Sequence, residues 1–331
     1  MARIAVLFTG GTIAMRSAGA GNVPTLRGDD LLASVPGLEE IAEIEPIDWG
    51  LVPASHLSFD QVLEIGRILA EQLARPAIDG AVVVQGTDVI EETAFAWDLL
   101  PLSSKPVVVV GAMRSASQEG YDGPENLRNA VTVAAEPALA DQGVVVAMAG
   151  EIHAADDVRK THTHAYATFQ SPNAGRLGLV ADGRVTLLRR RQFARLARAP
   201  RHAALPIHLV TAVLDADPDA VARLVQPAPA GLVVAATGGG NTAAWLLDAA
   251  SALIQRGVPV MLTTRCPSGR PMAGYGFPGG SSSWWQAGAI FSGTLDPLKA
   301  RVLLALGLGA GASVQELADL CAAFGGGRAK L

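Results

Sequence analysis

Cysteine is scarce in this sequence of 331 residues: Cys266 and Cys321 are the only two. Two thiols cannot by themselves build a disulfide framework or a four-ligand zinc site. They read as reduced thiols of a cytosolic protein. A basic excess is also missing, with 26 Lys+Arg against 31 Asp+Glu and a formal charge of −5. A dedicated nucleic-acid binder shows a basic face or stripe, so no nucleic-acid partner is expected. The one basic cluster, Arg189-Arg190-Arg191 with Arg195, Arg198 and Arg201, has no aromatic stacking platform and reads as a linker. No apolar run approaches the roughly 18 residues that a membrane span needs, so no membrane partner is expected. Arg3 to Phe8 reads as a strand from the outset. That leaves no room for a secretory leader and predicts a cytoplasmic protein.

Half of the residues are hydrophobic and only 17% are charged, enough for a sizeable core. The length suggests two domains. Short β-rich runs at Ile4–Phe8, Ile41–Ile47, Ala81–Val84, Val107–Val110 and Val144–Ala147 alternate with helical spacing over Phe59–Leu73, Glu91–Leu100 and Asn126–Ala135. Such alternation implies βαβ units and a mainly parallel sheet covered on both faces. A hairpin is expected around Asp182-Gly183. Residues 189–204, rich in Arg, Ala and Pro without a period, read as an interdomain linker. Alternation then resumes, with strands at Ile207–Val213, Leu232–Ala236 and Val258–Thr263. Helices are expected at Pro218–Val225, Thr242–Gln255, Pro297–Leu306 and Val314–Ala323. The expected fold class is therefore α/β, with a larger domain over 1–188 and a smaller one over 205–331. Gly325-Gly326-Gly327 reads as a frayed tail.

Ligands of open α/β sheets bind beyond the carboxyl ends of the strands, so the residues following each strand carry the argument. After the first strand stands Thr9-Gly10-Gly11-Thr12-Ile13-Ala14. Its glycines allow a sharp turn and a close approach to a ligand; equally, its threonines could simply bond the backbone. It is neither a dinucleotide fingerprint nor a P-loop. Gln85-Gly86-Thr87-Asp88 follows the third clear strand, and either a capping role for Thr87 or Asp88 (with Glu91 completing a box) or a chemical one fits it. Amides of the Gly111-Ala112-Met113-Arg114 turn could donate to an oxyanion, while Arg114 reads better as tying down its loop. Lys160 precedes Thr161-His162-Thr163-His164, with His153 upstream. The histidines raise a metal site, but no closed ligand set at established spacing supports one. A lysine discharged by burial and by its neighbours can act as a base on a hydroxyl. Thr237-Gly238-Gly239-Gly240-Asn241 joins a strand to a helix and suits either an anion or a plain cap on that helix.

Together these segments resemble the bacterial-type asparaginase/glutaminase family. Thr9–Ala14 is similar to its first threonine signature, and Gln85-Gly86-Thr87-Asp88-Val89-Ile90-Glu91-Glu92-Thr93-Ala94 to its second, with Gln85 where histidine is usual. Gly111–Arg114, Asp122 to Asn126, Lys160-Thr161, Gly240-Asn241, Ser292-Gly293-Thr294-Leu295 and Lys299-Ala300-Arg301 follow in the family's order over nearly the whole chain. The resemblance implies hydrolysis of L-asparagine to L-aspartate and ammonia through an acyl-enzyme, without metal or cofactor. It makes Thr12 the nucleophile and Thr87, Asp88 and Lys160 the second catalytic group. Amides of Thr87 and Ala112 would form the oxyanion hole, Ser55 would bind the substrate carboxylate and Asp88 its ammonium, with Gly86 beside them. Asn241 would serve a neighbouring subunit's site, implying a homodimer or a tetramer of dimers that acts on a small amino-acid amide.

Three departures stand out. The loop from Met15 to Leu26 has no tyrosine where many members carry one, and Tyr121, Tyr166 and Tyr275 are the only tyrosines. Pro271–Gln286 lacks the acidic residue of many secreted members; Pro271-Met272-Ala273-Gly274-Tyr275 there is similar to the cytoplasmic branch. His56 stands where glutamine is common. Either Tyr275 compensates for the missing loop tyrosine as a catalytic residue, or the substrate is a different or N-substituted amide read by His56. The loop Met15–Gly28, rich in Gly and Ala, suits a lid. A non-catalytic amino-acid-binding protein is the reading from another class, and intact Thr12, Thr87, Asp88 and Lys160 weigh against it.

Overall fold

The computed structural model describes residues 1–11, 13, 15–18, 21–24 and 27–325. Thr12, positions 19, 20, 25 and 26 of the expected lid, and the Gly326-Gly327 part of the expected tail lie outside the described residues. The chain divides into two compact units, Met1–Gln192 and Phe193–Leu331.

Unit 1 contains β1 (Ala2–Phe8), β2 (Met15–Ala18), β3 (Gly21–Pro24), α1 (Gly28–Ala33), β4 (Ala42–Asp48), α2 (Phe59–Ala74), β5 (Gly80–Val84) and α3 (Ile90–Asp98). There follow β6 (Val107–Val110), α4 (Gly123–Ala134), β7 (Val144–Met148), β8 (Glu151–Ala154), β9 (Arg159–Lys160), β10 (Phe169–Gln170), β11 (Gly178–Ala181) and β12 (Arg184–Leu187). Eight of these strands form one sheet in the order β12-β11-β8-β7-β6-β5-β1-β4. The five from β7 to β4 are parallel, and β8, β11 and β12 extend the sheet antiparallel. All five residues of β5 and all four valines of β6 are buried. Both faces of the sheet centre are therefore covered, and each such valine contributes roughly 1.5–3 kcal/mol of transfer free energy. α2 starts where Ser58 and Gln61 cap each other reciprocally, a box that contributes about 1 kcal/mol.

The strand order sets the position of the site. The chain leaves β1 for β4 on one side and returns to β5 on the other, so the order reverses between β1 and β5. Beyond the carboxyl ends of those two strands lies the crevice of an open α/β sheet.

Unit 2 has a parallel sheet in the order β13 (Ile207–Thr211), β14 (Gly231–Ala236), β15 (Val260–Thr264) and β16 (Ile290–Phe291). Its helices are α5 (Pro218–Leu224), α6 (Ala244–Gln255), α7 (Ser281–Gln286), α8 (Pro297–Gly309) and α9 (Val314–Ala323). Leu232, Val234, Leu246, Leu253, Leu262 and Trp284 pack in one of its cores.

The α/β class and the mainly parallel sheets match the expectation. Elements too short to show a period escaped it: α1, α7, β8, the β9–β10 pair and β16. The expected lid contains the antiparallel β2–β3 ladder, Met15 opposite Pro24. Residues 189–204 carry no helix or strand, yet they are not uniformly a solvated basic stretch. The Arg191 side chain is 3% exposed and bonds Asp98 and Asp156, each at 2.7 Å. Buried guanidinium needs such partners, and a sequence cannot show that one arginine of three has found them.

Candidate active site

At the end of β1, the Thr9 amide and hydroxyl both donate to the Val84 carbonyl, at 3.0 and 3.1 Å. Thr9 is thus committed to structure. Gly10 and Gly11 follow with φ of +102° and +90°. A Cβ on Gly11 would stand 2.1 Å from the Gly86 nitrogen and 2.3 Å from its Cα. Only two facing glycines allow the turn after β1 to touch the turn after β5 backbone to backbone. A Cβ on Gly86 would in turn meet the Ala54 side chain at 2.8 Å. This seats the short 3-10 turn Ala54–His56 against Gly86, with Ser55 and His56 both exposed on it.

The turn after β5 continues as a 3-10 turn, Thr87–Val89, into α3. Neither Thr87 nor Asp88 caps that helix; its N-cap is Val89, without a side-chain bond. The Asp88–Glu91 box is not formed either, because Glu91 accepts the Lys160 amide at 3.2 Å. Thr87 and Asp88 instead meet Lys160. Its ammonium nitrogen lies 2.9 Å from Thr87 Oγ1 and 3.0 Å from Asp88 Oδ1. The Lys160 and Asp88 side chains are 19% and 64% exposed, while Thr87 is buried. Lys160 is held for this by pairing with Phe169 across the β9–β10 ladder.

Gln85, at the position where the family usually has histidine, is fully buried and accepts the Thr93 hydroxyl at 3.1 Å. It locks the start of the turn to α3. The β6 end closes the crevice: a Cβ on Gly111 would meet Gln85 O at 2.8 Å and Thr87 Cγ2 at 2.9 Å. Ala112, next along, is buried. Asp122 accepts the Met113 and Arg114 amides at 3.0 and 2.9 Å and the Asn126 side chain at 2.8 Å. Arg114 lies over the Tyr166 ring, 4.9 Å from its centre, and so ties down its loop.

The sequence matches the family described as Asparaginase, N-terminal over residues 3–193, and the Glutaminase/Asparaginase C-terminal domain over residues 206–320. The chain belongs to the asparaginase family. It is 35% identical to a probable periplasmic L-asparaginase of Haemophilus influenzae over 314 residues, covering 92% of this chain and 88% of the relative. It is 33% identical to L-asparaginase 2 of Escherichia coli over 325 residues, with the same coverage of 92% and 88%. The crystal structure of a probable cytoplasmic L-asparaginase from Campylobacter jejuni superposes with a TM-score of 0.86 at 30% identity, covering 97% of this chain and 99% of that one. Members of the asparaginase family are amidohydrolases acting on the C–N bonds of linear amides.

Of the site residues expected from the sequence, unit 1 brings together Gly86, Thr87, Asp88 and Lys160, with Ala112 and the Ser55–His56 turn around them. Asn241 and Tyr275 belong to unit 2 and meet there. Asn241 Oδ1 accepts the Ser281 amide at 3.2 Å, and Ser281 Oγ accepts the Tyr275 amide at 3.3 Å. Asn241 thus tethers the start of α7 and does not cap α6, whose N-cap is Ala243. Tyr275 is half exposed, its ring 6.1 Å from that of Phe277. Among the described residues no three His, Cys, Asp or Glu gather as metal ligands do. His153 is buried against Ser171 Oγ at 3.0 Å, and burial pushes its pKa down to about 4. His162 Nδ1 accepts the His164 and Ala165 amides, each at 2.9 Å. Glu91, which holds the backbone of Lys160, presents itself in the sequence only as a capping residue; its one signal is its place in the second threonine signature.

Proposed function

We propose that the protein hydrolyses L-asparagine to L-aspartate and ammonia. The observation that carries this is the Lys160 ammonium within 3.0 Å of both Thr87 Oγ1 and Asp88 Oδ1, at the β1/β5 switch point. With Lys160 donating to it, the Thr87 oxygen turns its own proton outward, where it can be passed to a leaving amine and replaced by a proton taken from the attacking hydroxyl or water. The exposed Asp88 has oxygen capacity left for a substrate ammonium. Thr12, next after Gly11 in the sequence, supplies the nucleophile: its hydroxyl oxygen adds to the side-chain amide carbon while its proton passes to the amide nitrogen, the C–N bond breaks and ammonia departs. Water then adds to the ester carbon, returns a proton to the threonine oxygen and releases the acid. The Thr87 and Ala112 amides stabilise the oxyanion, and Ser55 takes the carboxylate. Asn241 and Tyr275 serve the site of a partner copy in a homodimer or homotetramer. The compartment is the cytoplasm, a reading supported by the Campylobacter relative, which is called cytoplasmic, although the Haemophilus relative is called periplasmic.

Ammonia release from L-asparagine, D-asparagine and L-glutamine, with Thr12→Ala alongside, tests the proposal. Turnover of L-asparagine that Thr12→Ala abolishes supports it. Release no greater than that of Thr12→Ala from all three amides overturns it. The second reading, an N-substituted amide, then takes its place, with exposed His56 beside Gly86 as the group that reads the substituent.

A further inference from the structure

Tyr121 has no part in the roles above. It precedes Asp122 at the start of α4, and its hydroxyl donates to the Ile13 carbonyl oxygen at 2.7 Å, across 108 residues of sequence. Ile13 is fully buried and follows Thr12 directly in the chain. The ring is mounted without slack: a Cβ on Gly123 would stand 2.4 Å from it. The adjoining Asp122 is fixed by the amides of the turn after β6. A second tyrosine braces the first, since Tyr166, in the loop that joins β9 to β10, donates to the Gly120 carbonyl at 2.8 Å. Burial, and then the charge of Asp122, push the Tyr121 pKa up to about 12. The hydroxyl therefore remains a proton donor at any pH the enzyme meets, and is no base.

We infer that Tyr121 is a positioning residue for the threonine nucleophile: by holding the Ile13 carbonyl it orients the backbone that carries Thr12, with Tyr166 as its brace. The inference rests on the assignment of Thr12 as nucleophile. Its physical content is that catalysis depends on near-attack geometry, where a displacement of about 1 Å costs about 100-fold in rate. A single neutral hydrogen bond adds little to global stability by comparison.

Tyr121→Phe removes the hydroxyl and keeps the ring. With L-asparagine as probe, kcat is expected to fall about 10- to 100-fold while KM changes less than about threefold. Hydrogen exchange in a peptide spanning residues 9–18 should quicken, with the denaturation midpoint nearly unmoved. Tyr166→Phe should act in the same direction and less. Exchange needs no substrate, so an unchanged rate refutes the inference even if none of the three amides is turned over. Unchanged exchange in Tyr121→Phe, or quickened exchange with unchanged kcat, overturns the inference. If Thr12→Ala retains turnover, the nucleophile assignment falls and takes this inference with it. If Thr12→Ala is inactive and Tyr121→Phe is normal, this inference falls alone.

Discussion

Replacing Lys160 by methionine separates catalysis from folding, because the proton-moving role proposed for this side chain and its structural contacts carry very different weights. Its ion pair with Asp88 is largely solvated, the aspartate side chain being 64% exposed. Exposed pairs of this kind contribute about 0–1 kcal/mol. Its bond to the buried Thr87 hydroxyl, 2.9 Å long, is the larger loss, and a buried hydroxyl left without a partner costs about 1–3 kcal/mol. Methionine preserves the packed stem. The folded state should therefore lose about 1–3 kcal/mol, roughly 2–10 °C in Tm for a unit of this size. Removing a group that moves protons costs about 100- to 10,000-fold in kcat, or about 3–5 kcal/mol of barrier. Steady-state ammonia release and chemical denaturation, measured at one pH on the same preparation, compare the two. Lys160→Arg should recover little, since the guanidinium stays protonated and cannot pass a proton on. A folded Lys160→Met that retains more than a tenth of the wild-type kcat would refute the reasoning.

Three further outcomes follow from the same contacts. Gly11→Ala forces a Cβ to 2.1 Å from the Gly86 backbone at a φ of +90°. It should cost about 2–5 kcal/mol, whereas Gly183→Ala, at φ +68° with open space around it, should cost about 1 kcal/mol; equal midpoints in denaturant would contradict this. Because burial holds His153 near pKa 4 in the folded state, the unfolded chain alone takes up its proton between about pH 6.5 and 4. Stability therefore falls as pH falls through that window, by on the order of 3 kcal/mol, and His153→Gln should flatten this part of the denaturation profile. Arg191→Met strands the fully buried Asp98 carboxylate and should cost about 3–5 kcal/mol at neutral pH. Burial already raises the Asp98 pKa. Its uptake of a proton in the folded state therefore makes the loss smaller as pH is lowered, which denaturation at pH 7 and 5 would check.

The sheet was legible because buried parallel strands announce themselves as unbroken apolar runs. Ala81–Val84 and Val107–Val110 reappear as β5 and β6, all buried. What lay hidden is short or depends on distant partners. β9 is two residues long, too brief for any period, yet it presents Lys160. Thr87, Asp88 and Glu91 permit a helix cap as readily as the cluster that forms, and that cluster depends on Lys160, 72 residues away from Asp88. Tyr121 stands in the sequence just ahead of a helix, and nothing local says that its hydroxyl reaches Ile13. The family resemblance supplied the order of motifs; the topology explains why β1 and β5, far apart in sequence, must end side by side.

That adjacency has a consequence for how substrate preference can change. The two threonine-bearing turns are spaced by main-chain contact between Gly11 and Gly86, too close for any Cβ, so side-chain changes within the turns cannot retune their separation without breaking it. Lys160 is committed to Thr87 and Asp88 in the same way. The freedom lies at the rim, where Ser55 and His56 are exposed on a turn that packs its Ala54 side chain toward Gly86. Substitutions at His56 should accordingly shift the ratio of kcat/KM between asparagine and its derivatives while leaving the pH dependence of kcat in place, since the groups proposed to move protons are bound elsewhere. A change at His56 that displaced the pH profile would mean that the rim and the proton-moving centre are one unit.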